Sequence, residues 1–217
     1  MRKQLLFLGI LLVLLVQSCA VVSFYPLYTE DTLIENDQII GIWENSSDEY
    51  IWEISKPDTL RSTPLSTDDH NWANNKYSYL ALVYRSDEPD EHSEFMIHLV
   101  KLGNNIYADI FPNSWNFDYE ILMAHMVPVH SFAKIRFDNP ILVTWMDQSW
   151  LEDLITQNKI RIPYVEDNDG KTLLLSKPRE LQKFLIKYEN DESAFDDDLT
   201  FELTRINGES KDNKSSK

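Results

Sequence analysis

Residues 95–111, FMIHLVKLGNNIYADIF, contain the pattern that decides the fold of this chain. Two apolar runs, residues 95–102 and 106–111, lie on either side of Gly103-Asn104-Asn105, a tripeptide typical of the turn in a β-hairpin. Runs of this length that are bounded by turn-forming residues predict strands. We therefore predict two antiparallel strands joined by a tight turn near the middle of the sequence.

Strand patterns continue on both sides of this hairpin. Residues 129–138 contain the clearest alternation, since Ala133, Ile135 and Phe137 fall on one face and charged residues on the other. Polar or irregular connections are expected at residues 57–76 and 112–128. Further strands are predicted at residues 39–44, 50–56, 77–85, 141–146, 161–166, 171–176 and 199–206.

Helical patterns are confined to the C-terminal half. In residues 148–158 the apolar side chains recur at helical spacing, and residues 178–189 repeat this pattern with Pro178 in the first turn. About ten short strands with two late helices predict a β-rich α+β fold, either an antiparallel barrel or a strongly curved sheet. A parallel α/β fold is not expected, because strands and helices do not alternate over most of the chain.

The first nineteen residues, MRKQLLFLGILLVLLVQSC, have the pattern of an export signal. Their apolar core, residues 5–16, is shorter than the roughly 20 residues that a membrane-spanning helix needs. Val16-Gln17-Ser18-Cys19 resembles the bacterial lipobox, in which the cysteine is lipidated. Cys19 is the only cysteine in the chain, and lipidation would explain an unpaired thiol in an exported protein. A plain secretory signal or a short N-terminal anchor helix remains the alternative.

These features predict a division of the chain and a location. We expect a signal peptide at residues 1–18, a lipidated cysteine and tether at 19–38, one globular domain at 39–206 and a disordered polar tail at 207–217. The lipid on Cys19 would attach the protein to the bacterial outer membrane. Because no acidic run follows Cys19, the periplasmic face is favoured, and the cell surface is the alternative.

Composition narrows the range of partners. The 217 residues carry a formal charge of −16, and no basic cluster is evident in the sequence, so nucleic acid is not expected as a partner. Adhesion to anionic lipid headgroups is also disfavoured. Aromatic residues make up 12 % of the chain, which suits a β-rich domain with a large aromatic core or a ligand cavity.

Two features resemble the lipocalin-like barrels. Gly41-Ile42-Trp43 opens the first strand of the predicted domain, and Arg205 shares a face of the last strand with Phe201 and Leu203. The resemblance implies a lipocalin-like barrel in which Trp43 closes one end and Arg205 lies across it. An ordinary buried tryptophan with an arginine at the rim is the alternative interpretation.

A second resemblance covers most of the chain after Cys19. Pro26-Leu27-Tyr28-Thr29, the Gly-x-Trp strand, and a late helix followed by an acidic, aromatic stretch are similar to a group of bacterial outer-membrane-type lipoproteins. This resemblance implies a lineage and a compartment, and it implies no catalytic residue.

The sequence contains no pattern that identifies an enzyme, a metal site or a cofactor. It has no H-E-x-x-H or G-x-S-x-G motif, and its five glycines form no phosphate-binding loop. Residues 167–170 hint at a calcium loop, but Val165 and Ser176 occupy the positions where an EF-hand needs acidic ligands. The acidic run 191–198 is interpreted as a solvated loop, and the five histidines lack the spacing of a metal site.

The best binding candidates are aromatic residues in the predicted loops. Trp72, Trp115 and Tyr119 lie beside Asn and Asp residues, and such groups can stack on sugar rings and bond their hydroxyls. They can equally cover the domain's own core. Trp52, Trp145 and Trp150 are interpreted as packing residues.

The sequence therefore predicts a non-enzymatic, membrane-anchored module that binds a small apolar or carbohydrate ligand. A structural or assembly accessory that binds another envelope protein is the alternative, and an envelope hydrolase is less expected.

Overall fold

The computed structural model describes residues 20–45, 47–57, 76–114, 127–166 and 171–206. Within these ranges the chain forms twelve β-strands and two α-helices. In chain order they are β1 (Val22–Ser23), β2 (Leu33–Ile34), β3 (Gly41–Asn45), β4 (Tyr50–Ser55), β5 (Ser78–Arg85), β6 (Glu88–Leu102), β7 (Asn105–Ser114), β8 (His130–Arg136), β9 (Ile141–Trp145), α1 (Gln148–Thr156), β10 (Tyr164–Glu166), β11 (Thr172–Leu174), α2 (Pro178–Lys187) and β12 (Thr200–Arg205).

Eight of these strands close into an antiparallel barrel. Each strand from β3 to β9 pairs with the next one along the chain. The last strand, β12, then pairs with β9 on one side and with β3 on the other, so the sheet has no open edge within the barrel. The β-rich barrel predicted from the sequence is confirmed at this level, with eight strands in the barrel and four described strands outside it.

The central hairpin has the turn that its sequence predicts. β6 and β7 pair up to Leu102 and Asn105, and Gly103 adopts a φ of +54° between them. The Glu189 carboxylate lies where a Cβ at Gly103 would be, and the Asn104 N–H donates to it at 3.3 Å. The backbone angle therefore favours glycine at this position, and any larger residue would also require the Glu189 side chain to move.

One core fills the interior of the barrel. Alternate residues of each strand point inward, so Ile97 and Leu99 of β6 face Ala108 and Ile110 of β7 in the same cluster. The Trp43 ring is buried in this core, and its Nε1 donates to the Ile39 carbonyl at 2.8 Å.

A second core lies on the outer face of β6, β7 and β8. Outward-facing Val100, Tyr107 and Phe132 are fully buried there. They are covered by the two helices, by β11 and by the N-terminal segment. Leu181 and Leu185 of α2 are also fully buried in this core, which explains the helical spacing of the apolar residues in α2.

The N-terminal segment differs from our expectation. We predicted a tether at residues 19–38, but the described residues 20–38 are part of the fold. Val21 and Leu27 are buried in the outer core, β1 pairs with β8 and β11, and β2 pairs with β6. The physical reason is that the apolar outer face of the barrel needs a cover, and this irregular segment supplies part of it.

The helices begin and end close to the predicted positions. The Asp147 side chain accepts the N–H groups of Ser149 and Trp150 at the start of α1, and Asn158 has a φ of +53° just beyond its end. Pro178 occupies the first turn of α2. Among the residues that the structure describes, neither helix is long and apolar enough to cross a membrane.

Candidate functional site

The two ends of the barrel are built differently. At one end, here called the Trp43 end, the guanidinium carbon of Arg205 lies 4.4 Å from the ring centroid of Trp43. The same guanidinium donates to the carbonyls of Ile40 at 2.8 Å and Gln38 at 3.4 Å. The structure thus brings together the two residues that the lipocalin-like resemblance pairs.

Gly41 makes this stacking possible. Its φ is +154°, and a Cβ at this position would lie 2.8 Å from Nη1 of Arg205. Any side chain here would displace the guanidinium. The Gly-x-Trp pattern therefore has a physical role at the Trp43 end, because the glycine leaves room for the group that covers the tryptophan.

The opposite end, here called the mouth, contains an open cavity of about 400 Å³. β3 and β9 end at the mouth, whereas β4 and β12 begin there. We call this cavity the mouth cup. Trp52, Trp145 and Phe201 form its aromatic wall, and its polar rim includes Asn45, Asp48 and Asp198.

The aromatic wall is an outward continuation of the barrel core. The Phe201 ring lies between two indoles, with centroid distances of 6.1 Å to Trp52 and 6.3 Å to Trp145. The rings are inclined by 35° and 32°. Both tryptophans are only partly buried, although they pack on the interior core. Their accessible parts give the cup apolar, flat surfaces.

The polar rim comes from two short connections. In the turn between β3 and β4, the Ser47 N–H donates to the Asn45 side chain at 2.9 Å, and the Tyr50 N–H donates to Asp48 at 3.0 Å. Asp198 precedes β12 and is exposed. The described lining of the cup therefore includes two carboxylates and an amide but no lysine, arginine or histidine.

This arrangement supplies flat apolar surfaces and hydrogen-bond acceptors to a bound molecule. Amide and carboxylate oxygens accept hydrogen bonds from ligand hydroxyl or N–H groups. Among the described residues of the cup there is no histidine or cysteine, and hence no nucleophile paired with a basic nitrogen.

A second polar cluster is buried beneath the N-terminal segment. Asp109 of β7 has no exposed surface, and it accepts hydrogen bonds from His130 Nδ1–H at 2.8 Å and from the Leu27 N–H at 2.7 Å. Gln182 of α2 donates to the Leu27 carbonyl at 2.9 Å. Asp109 thus holds together β7, β8 and the N-terminal segment.

His98 belongs to the same region. Its Nε2 lies 3.0 Å from the hydroxyl of Ser78, and its ring stacks on Tyr28 with a centroid distance of 4.6 Å. Burial lowers the pKa of His98 to about 4, and the nearby Asp109 charge opposes this effect. Burial also raises the pKa of Tyr28. Both groups are therefore neutral near pH 7, which suits a packing role.

The buried cluster is small and closed off by the chain around it. In the described ranges of the chain, no three His, Cys, Asp or Glu side chains are grouped closely enough to hold a metal ion. The Asp109–His130 pair is covered by Leu27 and neighbouring residues, so a substrate has no access to Asp109. We interpret this cluster as the attachment of the N-terminal segment to the barrel.

The residues that line the cup differ from the binding residues that the sequence predicts. Cys19, Trp72, Trp115 and Tyr119 lie outside the described residues, so their proposed roles stay predictions. The sequence predicts packing roles for Trp52 and Trp145, and the structure shows that they pack on the interior core and also form part of the wall of the cup. Each lies in the terminal part of a strand beside a polar connection, and this position is the only sequence signal that could have identified them.

Comparison of the chain with protein-family models, with curated proteins and with solved structures found no match. Function must therefore be inferred from the cup and its surroundings.

Proposed function

We propose that this protein is a lipid-anchored bacterial envelope protein whose mouth cup binds a small carbohydrate without transforming it. The observation that carries this proposal is the cup itself, an open cavity of about 400 Å³ with an aromatic wall and a carboxylate-containing rim. Its volume falls within the range of roughly 300–1,000 Å³ that is usual for small-molecule sites.

The chemistry of the cup favours a carbohydrate over a purely apolar ligand. The flat faces of Trp52 and Trp145 suit the C–H face of a sugar ring. The rim groups Asp48 and Asp198 can accept hydrogen bonds from ring hydroxyls. An apolar ligand would cover the same carboxylates without bonding them, and burying an unpaired polar group is costly.

The strand order of the barrel supports a relationship with lipocalin-like barrels. Its eight strands follow one another around the barrel in chain order, apart from the insertion before β12. The stacked Arg205 and Trp43 lie at the end opposite the cup. Such an arrangement leaves one end free for ligand entry.

Lipidation of Cys19 would place the fold directly on a membrane. Only Ala20 and Val21 separate Cys19 from β1, so β1 would lie within about 10 Å of the anchor. Phe24 and Val165 near this point are exposed apolar residues, which suits a surface that faces lipid. We favour the periplasmic face of the outer membrane, in keeping with the group of lipoproteins that the sequence resembles.

Isolation of the tethered protein from its own envelope tests this proposal. Native mass spectrometry should detect a bound, hydroxyl-rich small molecule on the wild type and a reduced amount on Trp145→Ala. Trp150→Phe is the matched control, because Trp150 packs against Phe184 and Tyr188 away from the cup. Co-purification of a stoichiometric protein partner without any small molecule would instead favour an assembly accessory.

The anchor has a separate test. Cys19→Ser is expected to release a normally folded domain from the membrane fraction. If this variant fractionates as the wild type does, Cys19 does not carry the anchor.

A further inference from the structure

A second cavity lies on the opposite side of the outer core from the barrel. Its volume is about 420 Å³, and it runs between residues 159–163, which follow α1, and one face of α2. We call it the basic groove. It shares no lining residue with the mouth cup.

Basic side chains line both walls of this groove. Lys159 and Arg161 lie on one wall, and Lys183 and Lys187, four residues apart on α2, lie on the other. Glu180 is the one acidic residue among the described lining residues. Four basic side chains in one groove are an unusual concentration of positive charge in a chain that has 20 basic and 36 acidic residues.

Most of these charges have no ion-pair partner among the described residues. In the described part of the chain, no carboxylate forms an ion pair with Lys159, Arg161 or Lys183. Lys187 donates to the side-chain hydroxyl of Tyr188 at 3.0 Å. The groove therefore has positive charge that is available to an anion.

The floor of the groove is apolar. Ile160 and Ile162 are partly buried against the outer core, and Phe184 is only 8 % exposed. A small hydrophilic anion would leave this surface uncovered. The floor therefore favours a ligand that has an apolar part as well as a charge.

A buried hydroxyl adds a polar group that the fold leaves unused. Ser176 lines the groove and has no exposed surface, and its Oγ has no hydrogen-bond partner among the residues that the structure describes. Buried polar atoms are normally bonded, so an orphaned one calls for an explanation. A rotating hydroxyl can donate to an anionic oxygen.

We propose that the basic groove binds a single-chain lipid phosphate, with the phosphate head between the basic walls and the acyl chain on the apolar floor. A phosphate fits four basic side chains and a hydroxyl donor better than a carboxylate does, because it carries more charge and more acceptor oxygens. This proposal is independent of the mouth cup and of the lipid on Cys19.

Calorimetric titration of the full-length mature protein with monoacyl phosphatidic acid, below its critical micelle concentration, tests the proposal. Lys183→Gln and Arg161→Gln should each weaken binding by about 3- to 10-fold, as expected for the loss of one charge-assisted contact. Glu180→Gln should tighten binding, because it removes the negative charge in the groove. All three side chains are exposed, so the variants should fold normally.

Matched controls separate the groove from general charge effects. Arg136→Gln removes an exposed charge outside the groove and should leave the affinity unchanged. Trp145 lies in the mouth cup and not in the groove, so Trp145→Ala should likewise bind the lipid phosphate as the wild type does. Raising the salt concentration should weaken binding, because exposed charges are screened.

Three results would overturn the proposal. Inorganic phosphate that binds as tightly as the lipid would show that the floor contributes nothing. A fatty acid of equal chain length that binds equally well would show that the head is not selected as a phosphate. Binding to anionic phosphatidylglycerol vesicles but not to the monoacyl lipid would point to a flat membrane contact instead.

Discussion

Single polar side chains organise this fold, as is seen at Asp109, His98 and Arg205. Asp109 accepts a backbone N–H of the N-terminal segment and a ring N–H of β8, and neither bond is accessible to water. Arg205 uses its planar guanidinium both to cover an indole and to bond two carbonyls. Each residue joins parts of the chain that are distant in sequence, so changing it should affect tertiary structure more than local structure.

The pH dependence of stability should depend on His98. Its folded-state pKa of about 4 lies below the ordinary value of 6.5, so between these values the unfolded chain binds the additional proton. The contribution of His98 to the free energy of unfolding is therefore fully present above about pH 6.5. It falls by on the order of 3 kcal/mol as the pH decreases toward 4. His98→Gln, which does not titrate, should lose most of this dependence in urea unfolding measured at pH 7 and pH 5. An unchanged pH dependence in the variant would show that other groups cause it.

The packing of Gly41 against Arg205 can be measured by a double-mutant cycle. Gly41→Ala should destabilise the wild type by about 1–3 kcal/mol, because its φ is unfavourable for alanine and its Cβ would collide with the guanidinium. In an Arg205→Ala background the collision is absent and only the backbone cost remains. The two changes should therefore couple by at least about 0.5 kcal/mol, and strictly additive effects would contradict the contact.

At the scale of elements, the N-terminal segment is the clearest departure from expectation. It runs from β1, across the outer faces of β7 and β6, to β2, and it is fixed by Asp109 and Gln182 on the way. It behaves as part of the core and not as a linker.

Leu27→Ala tests this role of the segment. Leu27 is fully buried, so its truncation should cost about 2–5 kcal/mol of unfolding free energy. Val127→Ala removes apolar atoms from a residue that is 60 % exposed and should change stability by less than about 0.5 kcal/mol. Thermal or urea unfolding distinguishes the cases. Equal, negligible effects would mean that residues 20–38 form a tether after all.

The elements that the sequence predicts well are those with local signals. The hairpin of β6 and β7 has its turn residues in place, the alternation of Ala133 and Ile135 identifies β8, and Asp147 and Pro178 mark the starts of the helices. The N-terminal segment has no periodicity, because its burial depends on contacts with Asp109 and Gln182, more than 80 residues away.

The two cavities also depend on contacts between residues that are distant in the sequence. The pairing of Trp43 with Arg205 could be expected because a resemblance supplied the geometry. The mouth cup joins Trp52, Trp145 and Phe201 from three strands, and the basic groove joins residues from two segments. No local pattern shows which strand ends meet, so neither cavity could be read from the sequence.

At the scale of the whole molecule, the barrel separates two cavities of opposite charge. The cup at the mouth has two carboxylates, whereas the groove beside α2 has four basic side chains. The interior core lies below the cup, and the outer core lies below the groove. A ligand in either cavity would therefore contact side chains that are held by a packed core, which favours binding because fewer side chains must be ordered.

A glycan array shows whether the mouth cup binds a carbohydrate. The wild type should retain a restricted set of glycans. Trp145→Ala and Trp52→Ala should each weaken their binding by about tenfold, equivalent to about 1.4 kcal/mol, while Trp150→Phe binds as the wild type does. Retention of no glycan, or retention that both cup variants leave unchanged, would contradict the claim.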